Sequence, residues 1–193
     1  MTEIKELKVE DIKKAAEEKK CRVQQGLYYI TEFLAGPMCG RCFPCAFGSY
    51  EAKLRLLSIA DGKGTENDIA ALKRIAEEMA EASMCKKGKD TAAFIAALLT
   101  DDTFAEHVAG TCASGQCSAF MEYRIVADNC TACGKCKEVC THNAVFGEKG
   151  KPFVQGYPFE IRRKKCTQCG ECIAVCPEKA IIFIGKTSEP VHT

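Results

Sequence analysis

No long hydrophobic run occurs in this chain of 193 residues. The longest apolar stretch, residues 92–99, falls far short of the roughly 20 residues a membrane helix needs, so the chain is not expected to cross a bilayer. An export leader is missing too: Met1-Thr2-Glu3-Ile4-Lys5-Glu6-Leu7-Lys8 has charge where a leader has an apolar core, which predicts a cytoplasmic protein. Charge of one sign is also lacking. With 27 Lys and Arg against 26 Asp and Glu, and no basic surface interleaved with aromatics, nothing favours nucleic acid or an anionic membrane. The short basic cluster at residues 162–165 reads as solvated surface. No Gly-x-Gly-x-x-Gly run follows a strand and no nucleotide-binding βαβ pattern is visible, so no flavin or nucleotide is expected in this chain. Abundance lies in one residue type. Fifteen cysteines would suit a disulfide scaffold in a secreted protein, but an odd count leaves one thiol over, and metal-bound thiolates in a reducing compartment fit better.

Two cysteine runs dominate the C-terminal part: Cys130-x2-Cys133-x2-Cys136-x3-Cys140 and Cys166-x2-Cys169-x2-Cys172-x3-Cys176-Pro177. Four thiolates within eleven residues can wrap one compact inorganic cluster. Overlaid at an offset of 36, residues 130–146 and 166–182 share eight of seventeen identities, Gly134/Gly170 and Val139/Val175 among them. The spacing resembles the bacterial ferredoxin run, in which the fourth cysteine serves the other cluster. Two 4Fe–4S clusters are therefore expected, one on Cys130, Cys133, Cys136 and Cys176, the other on Cys166, Cys169, Cys172 and Cys140. Thr141 stands where the run usually has proline, which restores an N–H that could point at a sulfur and raise the potential of the cluster bound by Cys140.

Residues 1–109 read mostly as helix. Ile12, Ala15 and Ala16 share a stripe of an opening amphipathic segment. Residues 24–34 form a second helix broken by Gly36-Pro37, residues 44–59 a third closed by Asp61-Gly62-Lys63-Gly64, and Thr65 with Asp68 opens a fourth through about Ala82. Residues 91–100 and 102–108 are shorter candidates. No alternating strand pattern appears in this half. From about Tyr123 the chain changes to short β-branched runs around cysteines, with a turn at Lys149-Gly150-Lys151-Pro152. The expected architecture is α plus small α/β: a helical iron–sulfur domain at residues 1–118 and a two-cluster ferredoxin domain at residues 119–193.

Cys39-x2-Cys42-x2-Cys45 lies between the Gly-Pro break and a helix, with no fourth cysteine nearby. Cys85 follows forty residues after Cys45, at the end of the next long helix. Antiparallel packing of those two helices would return it to the triad and complete a third cluster site. A dithiol redox motif is the simpler alternative, because Cys42-Phe43-Pro44-Cys45 looks thioredoxin-like in isolation, but its βαβ setting is absent and Cys39 would go unexplained.

Gly36-Pro37-Met38-Cys39-Gly40-Arg41-Cys42-Phe43-Pro44-Cys45-Ala46-Phe47-Gly48 and Ser83-Met84-Cys85-Lys86-Lys87-Gly88 resemble the iron–sulfur helical domain of the NADH-binding flavoprotein subunit of complex I. The resemblance covers about residues 24–109, with Met38 and Met84 as departures from the commonest residues. It implies a four-helix bundle whose 4Fe–4S cluster, held by Cys39, Cys42, Cys45 and Cys85, accepts electrons from a nearby flavin. The order of parts is similar to the C-terminal portion of the diaphorase subunit of NAD(P)-linked FeFe hydrogenases and related electron-bifurcating complexes, without their FMN- and NADH-binding domain. The chain thus looks like a freestanding tail of that subunit.

Cys21, Cys112 and Cys117 remain, and His107-x4-Cys112-x4-Cys117 brings an imidazole and two thiols within eleven residues. With Cys21 they make a Cys3His set suited to closed tetrahedral zinc, expected to tie the N-terminal helix to the junction between the domains. The alternative leaves Cys21 as a small buried hydrophobe and His107 as a hydrogen-bonded helix-end histidine. The hydrogenase relatives resemble this arrangement, with zinc at the same junction. His142 and His192 read as surface residues.

These features predict an electron-transfer subunit with three 4Fe–4S clusters and one structural zinc, without an active site of its own. Its expected partners are an NAD(P)H-linked flavoprotein or one resembling the small subunit of glutamate synthase, a 2Fe–2S subunit, and ferredoxin or a hydrogenase- or formate dehydrogenase-type terminal subunit. Two rivals are a zinc- and thiol-based binding module without redox function and a catalytic iron–sulfur enzyme. The second is disfavoured because each cysteine set is full and leaves no open iron.

Overall fold

The computed structural model describes residues 8–149 and 159–185. The expected turn at residues 150–152 and His192 lie outside the described residues. The chain divides into two compact units between Phe120 and Met121. No helix among the described residues is long and apolar enough to cross a membrane.

The first unit contains α1 (Val9–Glu17), α2 (Arg22–Ala35), α3 (Phe43–Ala60), α4 (Glu66–Ala82), α5 (Lys86–Leu98) and α6 (Thr103–Val108). α2 packs on α3, α3 on α4, α4 on α5, and α5 back on α2, which closes a four-helix ring around an apolar core. The helical stripes supply that core: Tyr29 and Phe33 from α2, Leu56 and Ile59 from α3, Leu72 and Met79 from α4, and Phe94 and Ile95 from α5 are all buried. Tyr29 stacks on Phe94 with ring centroids 4.1 Å apart. Its hydroxyl meets Thr91 Oγ1 at 3.2 Å, so the buried phenol keeps a polar partner. α1 lays Ile12 and Ala16 against α2.

α4 opens as its sequence predicts. The Thr65 N–H donates to Asp68 Oδ2 at 2.8 Å, closing the capping box. α5 starts at Lys86 instead of near residue 91. Lys86-Lys87-Gly88-Lys89-Asp90 lacks apolar periodicity and reads as loop, yet it forms an exposed first turn tied by a Lys86–Asp90 ion pair at 2.5 Å. That earlier start makes Cys85 the N-cap residue of α5.

The second unit contains β1 (Met121–Ile125), α7 (Lys135–Val139), β2 (Val145–Gly147), β3 (Phe159–Ile161), α8 (Glu171–Ala174) and β4 (Ile181–Gly185). Both of its sheets are antiparallel pairs: β1 with β4, where Ile125 faces Ile181, and β2 with β3, where Val145 faces Ile161. The strand before the first cysteine run therefore pairs with the strand after the second, and the strands between the runs pair with each other. Each half closes over the other's motif. The duplication extends to the backbone. Left-handed φ recurs at Ala132 and Gln168 (55° and 60°), Gly134 and Gly170 (83° each), and Asn143 and Lys179 (50° each). Non-glycine residues in that region cost roughly 1–2 kcal/mol apiece, so the repeated strain marks a wrapped loop whose path is over-determined by what it encloses.

Candidate metal centres

The helical unit gathers its first cysteine set from three places. Cys39 lies in the loop after α2, while Cys42 and Cys45 are the N-cap residue and first-turn residue of α3. Cys85 is delivered by the link between α4 and α5. All four line one cavity with Phe33, Met38, Arg41 and Lys87. The positive ends of two helices, α3 and α5, thus start at the same cavity, which favours an anionic occupant. Burial, followed by the neighbouring Cys42 charge, pushes the Cys45 thiol up to about 11. A backbone hydrogen bond with Met84 holds the Cys42 thiol below its usual range.

The cavity fits an iron–sulfur cluster in a further respect. A Cβ added at Gly88 would lie 2.8 Å from the side chain of Ser83 and 3.2 Å from Cys45 Sγ, so only glycine leaves the thiol side of this turn open. Two buried hydroxyls, those of Ser49 and Ser83, have no hydrogen-bond partner among the described residues.

In the second unit Cys130, Cys133, Cys136 and Cys176 line one cavity, together with Ile125, Phe159 and Ile181. Cys140, Cys166, Cys169 and Cys172 line another, together with Tyr123, Val145 and Ile161. Each cavity takes three cysteines from one run and the fourth from the other, as the crossed strand pairing requires. Burial, then the charges of Cys130 and Cys133, pushes Cys136 up to about 11. Burial and the Cys166 and Cys169 charges raise Cys172 as well. Sulfur-directed N–H groups also repeat: Ala144 donates to Cys140 Sγ and Ala180 to Cys176 Sγ, both at 3.3 Å. The N–H found on Cys140 is thus that of Ala144, with an equal counterpart in the other run, and the Thr141 substitution is not its source. His142 is exposed, at the edge of the second cavity.

The remaining four residues meet inside the helical unit. The ligand atoms of Cys21, His107, Cys112 and Cys117 all lie within 4.8 Å of one another, and all four residues are buried, so they could hold a metal ion. Cys21 is the N-cap residue of α2, His107 ends α6, and Cys112 and Cys117 lie on the following loop. Cys21 Sγ is 3.8 Å from Cys117 Sγ and 3.4 Å from His107 Nε2. The His107 Nδ1–H donates to the Thr103 carbonyl at 2.7 Å, which turns Nε2 toward the sulfurs. Burial alone would lower the His107 pKa, but hydrogen bonds with Cys21 and Thr103 outweigh it and push it up to about 9. The hydrogen bond with Cys117 brings Cys21 down to about 3 and drives Cys117 upward, one proton serving both sulfurs. The supporting contacts escape sequence reading. Gln24 donates to Cys117 Sγ at 3.3 Å and Ser114 Oγ lies 3.3 Å from Cys112 Sγ, while Gln116 Oε1 accepts from the Cys21 N–H at 2.9 Å. For Ser49 and Ser83 a faint signal existed: one lies a helical turn after Cys45, the other two residues before Cys85.

Residues 25–110 match the protein family described as NADH-ubiquinone oxidoreductase-F iron-sulfur binding region, and residues 129–181 match the 4Fe-4S dicluster domain. The chain is 33% identical over 141 residues to the NADP-reducing hydrogenase subunit HndC of Solidesulfovibrio fructosivorans, a match that covers 70% of this chain and 28% of that protein. It is 35% identical over 82 residues to a subunit of the NADH-quinone oxidoreductase of Streptomyces coelicolor, covering 42% of this chain and 18% of that one. A third relative, the NADP(+)-dependent formate dehydrogenase subunit beta of Moorella thermoacetica, is 36% identical over 62 residues, 32% of this chain and 8% of its own length. The chain spans less than a third of each of these relatives. The chain thus matches an iron–sulfur binding region at residues 25–110 and a 4Fe–4S dicluster domain at residues 129–181, and these iron–sulfur matches indicate electron transfer.

Proposed function

We propose that the chain is the electron-relay subunit of a multi-subunit, flavin-based NAD(P)H-linked oxidoreductase, of the kind that includes electron-bifurcating complexes. It would carry three 4Fe–4S clusters and one structural zinc. Cys39, Cys42, Cys45 and Cys85 would hold the helical cluster. Cys130, Cys133, Cys136 and Cys176 would hold one ferredoxin cluster, and Cys166, Cys169, Cys172 and Cys140 the other. The clusters supply one-electron chemistry, and the protein supplies their position and electrostatic setting. The observation that carries this reading is the sorting of twelve cysteines into three four-cysteine cavities, each within a matched iron–sulfur region.

Zinc in the Cys3His set is supported by two distances. Tetrahedral zinc with Zn–S of about 2.3 Å and Zn–N of about 2.0 Å puts sulfurs about 3.8 Å apart and sulfur about 3.5 Å from nitrogen. The observed separations are 3.8 and 3.4 Å. Four protein ligands leave no open position, which makes the site structural.

A partner flavoprotein would feed the helical cluster. α3 supports this with an exposed apolar stripe at one-turn spacing: Phe43, Phe47, Tyr50, Leu54 and Leu57 are 75, 56, 58, 46 and 36% exposed. The stripe begins beside Cys42 and Cys45, and Met84, 83% exposed, precedes Cys85. Such a contiguous patch marks an interaction surface. The ferredoxin unit would pass electrons to free ferredoxin or to a hydrogenase- or formate dehydrogenase-type subunit.

Metal analysis of anaerobically purified protein tests the reading. About twelve iron and one zinc per chain are expected. Iron near eight would remove the helical cluster, and tight FMN or NADH binding by the isolated chain would overturn the assignment of flavin chemistry to a partner.

A further inference from the structure

We infer that Ser49 and Ser83 donate their hydroxyl protons to sulfur atoms of the helical 4Fe–4S cluster and hold its reduction potential above the value its buried cysteines alone would set. The inference rests on the reading that Cys39, Cys42, Cys45 and Cys85 carry that cluster.

Ser49 is fully buried and Ser83 is 3% exposed, yet neither hydroxyl has a hydrogen-bond partner among the described residues. A buried hydroxyl left without a partner costs roughly 1–3 kcal/mol, and alanine would fill the same backbone positions without that cost. A neighbouring buried hydroxyl is satisfied. Thr91, equally buried, donates to the Lys87 carbonyl at 2.9 Å and meets Tyr29. Ser49 also forgoes the bond that serine in a helix commonly makes to the carbonyl one turn back.

Both hydroxyls lie near one thiol. Ser49 follows Cys45 by one turn of α3, which puts the two side chains on the same helix face. Ser83 Oγ and Cys45 Sγ lie 2.8 and 3.2 Å from a single point, the position a Gly88 Cβ would occupy, so they are no more than about 6 Å apart. A cluster held by Cys45 would bring further anionic sulfur to this corner of the bundle, where both hydroxyls lack an acceptor among the described residues. Reduction adds one electron to the cluster, and an O–H···S bond stabilises the more negative state more strongly. Loss of either donor therefore makes reduction harder. In the ferredoxin unit the observed donors to Cys140 and Cys176 are backbone N–H groups. Side-chain donors near Cys45 would give this one centre a potential adjustable by single substitutions.

The test is an anaerobic, EPR-monitored redox titration of the full chain, with the helical signal identified as the one lost in Cys85→Ala. Ser49→Ala and Ser83→Ala should each move the helical midpoint to more negative potential, and the double variant further, while both ferredoxin midpoints stay put. An unchanged helical midpoint in the double variant, at full iron content, overturns the inference. Should the variants load iron poorly, proton spectroscopy of the reduced, unaltered chain decides. Exchangeable protons coupled to the helical cluster and replaced in heavy water are expected, and their absence overturns the inference equally. Unaltered protein with iron in the ferredoxin cavities alone would instead overturn the cluster reading beneath it.

Discussion

His107 Nε2 lies 3.4 Å from Cys21 Sγ, across 86 residues of chain. The contact pins the start of α2 to the end of α6, and the Thr103 carbonyl holds the imidazole in the tautomer that presents Nε2 to the sulfurs. With Cys112 and Cys117 it encloses a buried site whose ligands come from two distant segments. Such a site acts as a cross-link, and its removal should loosen the α1–α2 end of the unit more than the cluster cavities.

With zinc in this site, as proposed, Cys21→Ser should release it and cost about 4 kcal/mol or more, the range in which loss of a metal site falls. The melting temperature should drop by about 2–4 °C for each kcal/mol. Iron content and cluster spectra of the surviving folded protein should not change. Loss of four irons with zinc retained would make Cys21 a cluster ligand.

Gln24→Leu should weaken zinc retention against a chelator by about 10–100-fold, because Gln24 donates to Cys117 Sγ. Competition with a chromogenic chelator measures this directly.

Cys140→Ala should damage the cluster on the other run. Cys140 faces Cys166, Cys169 and Cys172, so the EPR signal of that centre should change while the Cys130, Cys133 and Cys136 centre keeps its spectrum. The reciprocal result is expected for Cys176→Ala.

Phe43→Ser with Phe47→Ser should leave stability almost unchanged, since the two stacked rings are largely in solvent. If the stripe docks the proposed flavoprotein, electron acceptance from it should fall sharply, with all iron retained. Stopped-flow reduction of the clusters by the reduced partner separates docking loss from cluster loss.

Acid should strike the α3–α4 contact first. Burial alone would raise the Asp68 pKa, but hydrogen bonds from Arg55, at 2.9 Å, and Thr65, at 2.8 Å, outweigh it and hold it below the usual 3.8. A lowered folded pKa contributes stability that is present above the unfolded value and is lost as pH falls through the folded one. Asp68→Asn should therefore cost about 1.5–3 kcal/mol near neutrality, the worth of a hydrogen bond to a charged group. It should also flatten the loss of stability below pH 3.8, as denaturation across that range would show.

Helix periodicity and turn chemistry were legible in the chain, because they depend on neighbours within a few residues. The capping box at Thr65 and the apolar stripe of α1 follow from local spacing. The start of α5 was not legible. Its first turn is polar, exposed and interrupted by Gly88, and only the packing of Gly88 against Ser83 and Cys45 explains the glycine. Which face of α3 is buried was not legible either: the bundle turns Phe43, Phe47 and Tyr50 outward and buries Leu56 and Ile59.

By itself the sequence determined which thiols stand within one loop of each other. Spacing of two or three residues holds Cys130, Cys133 and Cys136, or Cys39, Cys42 and Cys45, at cluster-binding separation whatever the rest of the chain does. Tertiary structure decided which distant residue joins each set. Cys85 reaches the first triad because the link from α4 to α5 returns to the start of α3, and Cys140 and Cys176 change places because β1 pairs with β4 and β2 with β3. Cys21 reaches His107 because α2 packs against α6. A short loop limits its own geometry through covalent reach, whereas contacts across 86 residues exist only once a buried core has offset the entropy of bringing the ends together.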